Sequence, residues 1–382
     1  MKLAFTLQNS TFVGGGDYSI FKFAEYLAKK GHEITIFTTA NNSYIKEISQ
    51  KALIDFHFRG YIPTKIKGAG FLNRIWDRIY TFFIIKSFIK KNKDIDFIIG
   101  YHTSSTIKAN KLAKKFNIPS VSFVFETPDW MQSQLKGRWL KEYKGRFKRL
   151  WQKTKKELKT VDVIFSCSDL TGMENEKWLQ RDIQGTIYPG LDTEVVDKIR
   201  NIKKENQIVY IGRLNAYKNV DVLIQAISKI KNPPKLVICG DGEEREKLMT
   251  LAGQLNVNCE FKGKVNDKEK WQEIKKSIFM VFPTSFEGFG MPPMEALYCG
   301  MPCICTDIPI LKEAYEDKVE YFKENNVKDL VNKIKFLLDN PKYRAKRALE
   351  GKKYIKSKYS WERSAEKIEK ILKAYKNGNK NY

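Results

Sequence analysis

The sequence is poor in acid, in paired cysteines and in long apolar runs. Its 382 residues carry 44 Asp and Glu against 69 Lys and Arg, a formal net charge of +25. The six cysteines, Cys167, Cys239, Cys259, Cys299, Cys303 and Cys305, include no C-x-x-C pair, and several sit in apolar, strand-like runs. They read as reduced core cysteines of a cytoplasmic protein, not as a disulfide framework or a zinc site. No apolar stretch reaches the ~18–20 residues that a membrane span needs, and the opening Met1–Leu7 turns polar too early for a signal peptide. No D-x-D or His-rich cluster stands near the motifs below, so no metal and no resident cofactor is expected. Apart from a polar tail, Asn377–Tyr382, there is no low-complexity segment, and no internal repeat.

What is present suits two ordinary soluble domains: 42% apolar and 30% charged residues over a length that can bury two cores. The basic excess leans to the first half, where residues 1–190 hold 32 basic and 17 acidic side chains. Such a surface favours anionic partners, a bilayer, a nucleic acid or a phosphorylated substrate. Residues 136–160 are the most basic stretch, with Trp139, Tyr143, Phe147 and Trp151 interleaved. They read either as a solvated helix face or as a dock for an anionic membrane, and the membrane is the preferred reading. Single-stranded nucleic acid fits the same pattern, but no RNA-binding motif accompanies it. Phe71–Lys91 predicts an aromatic, basic helix that packs on a sheet or lies on a membrane surface, packing being preferred.

The first half opens as strand Lys2–Gln8, a Gly14-Gly15-Gly16 turn, an amphipathic helix over Tyr18–Lys30 and a strand over His32–Thr38. That βαβ order puts phosphate binding within reach of the helix N-terminus at Gly15 and Gly16. Two further buried strands end at His102 and Glu126, and ligands of open parallel sheets sit beyond such ends. Both residues are therefore candidates.

The second half restarts at Gln207–Leu214, a strand whose following turn is bracketed by Arg213 and Lys218. A planar guanidinium and a compact ammonium together can neutralise a diphosphate. Val257–Val265 is a strand closing on Gly263-Lys264-Val265. The apolar run Ile278–Phe282 then leads into Thr284–Gly300, where Gly288 and Gly290 allow a tight turn and Pro292 and Pro293 suit a helix start. The N-terminus formed by Phe289, Gly290 and Met291 is an anion site. Glu287 and Glu295 frame it and could bind hydroxyls on either side of a phosphate, the recipe for a sugar nucleotide.

Glu287 to Glu295, with its E-G-F-G core and the following C-G-x-P-x-I, resembles the E-x7-E signature of family 4 of the retaining glycosyltransferases. Gly212-Arg213-Leu214 to Lys218 resembles the family's G-R-L-x3-K element. The resemblance covers the second half strongly and the first weakly. It implies an α/β GT-B fold: two Rossmann-like domains with parallel sheets facing across a cleft, residues 1–192 and 193–359, with a C-terminal helix over 360–382 crossing back. It also implies a retaining, metal-independent hexosyl transfer from a UDP- or GDP-linked sugar to a sugar or lipid-linked acceptor, in surface glycan or glycolipid assembly. Arg213 and Lys218 would stabilise the leaving diphosphate, Glu287 would hold the donor sugar and Glu295 the ribose. Gly263, Lys264 and Val265 would meet the base through the main chain, and Gly15 and Gly16 would close over the phosphate. The family often carries His-Asp or His-Glu at the end of its second inner strand; here those positions are Phe125 and Glu126, so the histidine's role is not carried over. The expected location is cytoplasmic, peripheral on the inner face of the membrane, with no nucleic-acid partner. The alternative is a basic membrane- or nucleic-acid-binding protein on a degenerate GT-B fold.

Overall fold

The structure, a computed structural model, describes residues 1–7, 14–38, 55–58, 82–126, 128, 148–200 and 202–379. Expectations for Gln8, for residues 71–81 and for residues 136–147 lie outside that set. The described residues of Met1–Gln132, Gly145–Gly190 and Trp361–Tyr382 form one compact unit, and those of Leu191–Ser360 form a second.

The first unit is built on a seven-stranded sheet. Its strands are β1 (Lys2–Thr6), β2 (Glu33–Thr38), β3 (Asp55–Phe58), β4 (Phe97–Tyr101), β5 (Ser120–Phe123), β6 (Val163–Ser166) and β7 (Gly185–Thr186), in the order β3-β2-β1-β4-β5-β6-β7. Every pairing is parallel. Strands of such a sheet are covered on both faces and read as continuous apolar runs, as Phe97–Tyr101, buried throughout, does. The chain moves outward from β1 to β3, then crosses back to β4 on the other side, so the strand order reverses between β1 and β4. The second unit repeats the plan. Its strands are β8 (Gln207–Ile211), β9 (Lys235–Cys239), β10 (Cys259–Gly263), β11 (Phe279–Phe282), β12 (Cys303–Thr306) and β13 (Glu320–Phe322), in the order β10-β9-β8-β11-β12-β13, again all parallel. Here the order reverses between β8 and β11. Both units are therefore Rossmann-like, as expected, and ligand crevices of such sheets open at the point of reversal.

Several boundaries differ from expectation. The glycines are not a loop: Gly14 is the N-cap and Gly15 and Gly16 are the first residues of helix Gly15–Lys29. Helix His102–Phe116 begins directly at the end of β4, with His102 in a left-handed conformation (φ 62°). Helix Lys148–Leu158 turns its apolar side chains inward: Trp151 and Leu158 are buried with Trp178 and Leu179. Arg149, Lys153, Lys156 and Lys159 stay exposed. In helix 82–91, Ile85 and Ile89 are core while Phe83 is 58% exposed. No helix among the described residues is long and apolar enough to cross a membrane.

The last helix, Trp361–Lys376, packs into the first unit although Leu191–Ser360 belongs to the second. Trp361, fully buried, lies with its ring 5.8 Å from Tyr18 and 5.6 Å from Phe23. At the other end Tyr375 donates to Asp162 Oδ1 at 2.8 Å, and its ring lies tilted 6.1 Å from that of Phe97. Between them Glu369 takes Lys30 at 3.1 Å and Lys373 at 2.6 Å. Burial works to raise the Glu369 carboxyl, but the two ammonium groups outweigh it and hold the pKa at about 2. A carboxyl depressed below its unfolded value near 4.3 stabilises the fold above that value and loses its contribution as pH falls toward the folded one. Glu369→Gln should therefore lower the unfolding free energy measured in urea at pH 7 by about 1 kcal/mol. The gap to the parent should narrow as pH is lowered through 4 toward 2. A gap that is absent at pH 7, or constant with pH, would remove the ion pair from this anchor.

Candidate active site

In the second unit the two turns expected to bind substrate leave the carboxyl ends of β8 and β11, the adjacent strands at the reversal. After β8 the chain passes Gly212 and Arg213, makes one 3-10 turn over Ala216–Lys218, and enters helix Val220–Ile227 through Asn219 (φ 49°). The neighbouring β9 turn approaches so closely that a Cβ on Gly240 would lie 1.8 Å from the Gly212 carbonyl oxygen. Only glycine fits there. After β11, Pro283–Gly290 leads into helix Met291–Tyr298.

Buried polar groups join these two turns. Asn219 Nδ2 donates to the Pro283 carbonyl at 3.1 Å and to Ser285 Oγ at 2.6 Å, and the Ser285 amide donates to the Tyr217 carbonyl at 2.8 Å. The frame sets Lys218 Nζ on Glu287 Oε1, with side chains 9% and 13% exposed. The Lys218 ammonium also lies 5.1 Å from the Tyr217 ring and 5.6 Å from Phe282, where cation–π attraction offsets part of its lost hydration. So the groups expected to meet the diphosphate and the sugar are paired with each other. Arg213 is exposed on the same turn, and its carbonyl accepts from the buried Tyr210 hydroxyl at 3.0 Å.

The helix N-terminus is held by a residue that the sequence does not single out. Tyr315, fully buried, donates to the Gly290 carbonyl and accepts from the Met294 amide at 3.2 Å. Gly290 is left-handed (φ 88°), and a Cβ there would come within 2.7 Å of Leu311 Cδ2. Phe289 packs on the rings of Tyr315 and Tyr359. No side chain caps the helix at Gly290, and Met291 is its first residue. One turn on, Glu295 Oε1 accepts from Lys270 Nζ at 2.6 Å. Lys270 also lies 3.4 Å from Asp267 Oδ1 and 4.5 Å from the Trp271 ring. Burial works against its charge, but the Glu295 and Asp267 carboxylates outweigh burial and raise its pKa. Its helix, Asp267–Lys276, begins with an Asn266–Glu269 capping box directly after Gly263-Lys264-Val265. Gly263 (φ 67°) ends β10 and its carbonyl accepts from Gly240 at 2.8 Å; Lys264 is exposed and Val265 half-buried.

In the first unit the reversal between β1 and β4 gathers the other candidates. Gly14 caps helix Gly15–Lys29, its amide bonded to Asp17 Oδ2 at 3.0 Å. A Cβ on Gly16 would fall 2.0 Å from Tyr101 Oη and 3.4 Å from the Phe125 ring, so this glycine lets the helix start meet the end of β4. His102 follows at once, its ring 5.8 Å from that of Trp151 and its Nδ1 3.3 Å from Thr103 Oγ1. Its Nε2 lies 3.9 Å from Glu126 Oε2. The left-handed backbone that aims His102 this way is uncommon outside glycine and Asn, Asp or His, and such strain clusters at functional sites. The fold thus brings His102 and Glu126 together from the ends of adjacent strands.

Residues 192–354 match the model of glycosyl transferases group 1, and residues 13–195 match that of glycosyltransferase family 4. The chain belongs to glycosyltransferase family 4. An uncharacterised glycosyltransferase of Methanocaldococcus jannaschii is 31% identical over 188 residues, 48% of this chain and 52% of that protein. A Campylobacter jejuni enzyme named as an N-acetylgalactosaminyltransferase acting on a diphospho-undecaprenol glycan is 32% identical over 124 residues, 32% of this chain and 34% of that one. The chain thus matches about half the length of the first of these curated relatives and a third of the second. HepE of Anabaena, solved with UDP and glucose, superposes with a TM-score of 0.77 over 98% of this chain and 100% of its own, at 14% identity. The fold of this family 4 chain is GT-B.

Proposed function

We propose that this family 4 protein transfers a hexose, with retention, from a nucleoside diphosphate sugar to a glycan or lipid-linked acceptor. The observation that carries the reading is the set at the β8–β11 reversal: Arg213, Lys218, Glu287 and the Gly290 helix start, all on turns that are bonded to each other. Charge grows on the leaving diphosphate as the glycosidic bond breaks, and preorganised cations there are the largest electrostatic contribution available. Arg213 and Lys218 supply them, with the helix N-terminus at Phe289–Met291 assisting, so that no metal is needed. The Lys218–Glu287 pair is the resting arrangement; a bound donor would bring phosphate to the ammonium and sugar hydroxyls to the carboxylate. Glu295 takes the ribose hydroxyls and Gly263–Val265 the base. In this reading the leaving phosphate itself accepts the acceptor proton, on the face from which it departs. In the first unit His102 and Glu126 are the proposed acceptor-binding pair, with Gly15 and Gly16 as a backbone anion site at the neighbouring helix start.

A buried ion pair is poor evidence for a purely stabilising role, because apolar residues of similar volume usually do as well. The buried Lys218–Glu287 pair, in a turn proposed to meet substrate, therefore favours a ligand-exchanging site. Arg213→Ala should cut sugar transfer from UDP- or GDP-linked hexoses by about 10²-fold or more with the melting curve of the parent, and Glu287→Gln by a similar factor with the parent's far-UV spectrum but a lower melting temperature, because the buried Lys218 ammonium loses this carboxylate. Full activity in either variant would remove that residue from the mechanism.

The reading extends to location: a membrane-peripheral enzyme on the cytoplasmic face, seated on anionic lipid. Exposed Arg149, Lys153, Lys156 and Lys159 on and beside helix Lys148–Leu158 support it, each near-surface cation adding roughly 1 kcal/mol. Vesicles with anionic lipid should retain the protein at low salt and release it at high salt, and Lys153→Glu with Lys156→Glu should weaken retention. No retention at low salt would contradict the membrane reading.

A further inference from the structure

Lys270 has no part in the reading above, yet it is among the most enclosed cations of the second unit. We propose that Lys270 is a positioning residue for ribose recognition, holding Glu295 in the orientation that accepts a vicinal diol and coupling it to the segment that meets the base. The inference rests on the proposed nucleotide site and deepens it.

The geometry is specific. Glu295 lies on the buried side of helix Met291–Tyr298, its side chain 9% exposed, and its Oε1 accepts from Lys270 Nζ at 2.6 Å. The ammonium is fixed from three sides: by Glu295, by Asp267 Oδ1 at 3.4 Å and by the Trp271 ring at 4.5 Å. Trp271 is itself 3% exposed and cannot swing away cheaply. One carboxylate oxygen is therefore committed to lysine, which fixes the plane of the carboxylate and the direction of Oε2. A bidentate acceptor for two neighbouring hydroxyls needs that plane fixed, since a freely rotating carboxylate gives up entropy on binding. Burial pushes the Glu295 carboxyl up, and the Lys270 ammonium works against that rise, favouring the ionised acceptor form that a diol needs.

Lys270 stands three residues beyond Asp267, the first residue of a helix that follows Gly263-Lys264-Val265 without a break. A rigid side chain here links the loop proposed to meet the base to the carboxylate proposed to meet the ribose. A donor with the wrong base would shift the loop and, through Lys270, misalign Glu295. A purely structural ion pair would stabilise the unit without affecting which sugar the nucleotide carries, and the two cases separate in binding.

The test is calorimetric titration of the intact protein with UDP, GDP and ADP, each beside its 2′-deoxy counterpart. The parent should bind one ribonucleotide and prefer it to the deoxy form by about tenfold or more. Lys270→Met should reduce that ratio toward one, chiefly by weakening the ribonucleotide, while Lys270→Arg, which keeps the charge and its reach, should restore most of it. Glu295→Gln should abolish the preference in every background. An unchanged ribo-to-deoxy ratio in a folded Lys270→Met protein would overturn the inference while leaving the nucleotide site intact. Failure of the parent to bind any nucleoside diphosphate would overturn the nucleotide site itself, and this inference with it. Should Lys270→Met fail to fold, Lys270→Gln and the arginine variant give the same comparison.

Discussion

The second unit depends on the adjacency of β8 and β11. These strands are distant in sequence, since two strand–helix repeats intervene, and they pair only because the chain reverses its direction of travel across the sheet. That one topological fact places the turn after Ile211 beside the turn after Phe282. Asn219 and Ser285 then join the turns with short buried hydrogen bonds. An unsatisfied amide buried at that point would cost on the order of 1–3 kcal/mol, so the register of the two turns is strongly held. Lys218 and Glu287 meet as a consequence. The first unit repeats the principle with Gly16 against Tyr101, where the reversal between β1 and β4 brings a helix start to a strand end.

Much of this was legible in the residues. The strands of parallel sheets are apolar runs bounded by glycine and polar turns, and β8, β9, β11 and β12 all read that way; so did the glycine, arginine, lysine and glutamate motifs that fall on their carboxyl ends. Family resemblance supplied the GT-B fold for the same reason, because its motifs are the turns themselves. The short outer strands were not legible. Asp55–Phe58, Gly185–Thr186 and Glu320–Phe322 are too brief to show a period, and become strands only because a neighbour is there to pair with. Gly15 and Gly16 look like loop residues, yet they open the helix, and position 16 is glycine because Tyr101 and Phe125 leave no room for a Cβ.

The side chains that hold the site were the least legible part. Tyr315 is one of 18 tyrosines, and nothing near it in sequence marks it as the clamp on the Gly290 carbonyl. Lys270 sits in a polar helix beside Lys268, Lys275 and Lys276, and only the tertiary fold separates it by placing Glu295 against it. His102 and Glu126 were both visible as strand-end residues, but their approach to each other and the left-handed backbone of His102 follow from packing between β4, β5 and Trp151. Interleaved aromatics suggested a surface stripe in residues 136–160, whereas in the described part of it Trp151 turns inward while Arg149, Lys153, Lys156 and Lys159 stay outside. In each case composition names the group and tertiary contact assigns its work.

The central claim is that the β8–β11 reversal is a nucleoside diphosphate sugar site. Thermal unfolding in the presence of UDP, GDP, ADP and their hexose conjugates tests it most directly. Near 100 times a micromolar dissociation constant, one nucleotide series should raise the stability of the protein by roughly 2.7 kcal/mol. That gain should be largely lost in Arg213→Ala and in Glu295→Ala. No stabilisation by any of them, or an equal gain in both variants, would contradict the account and leave a basic binding protein on a GT-B frame.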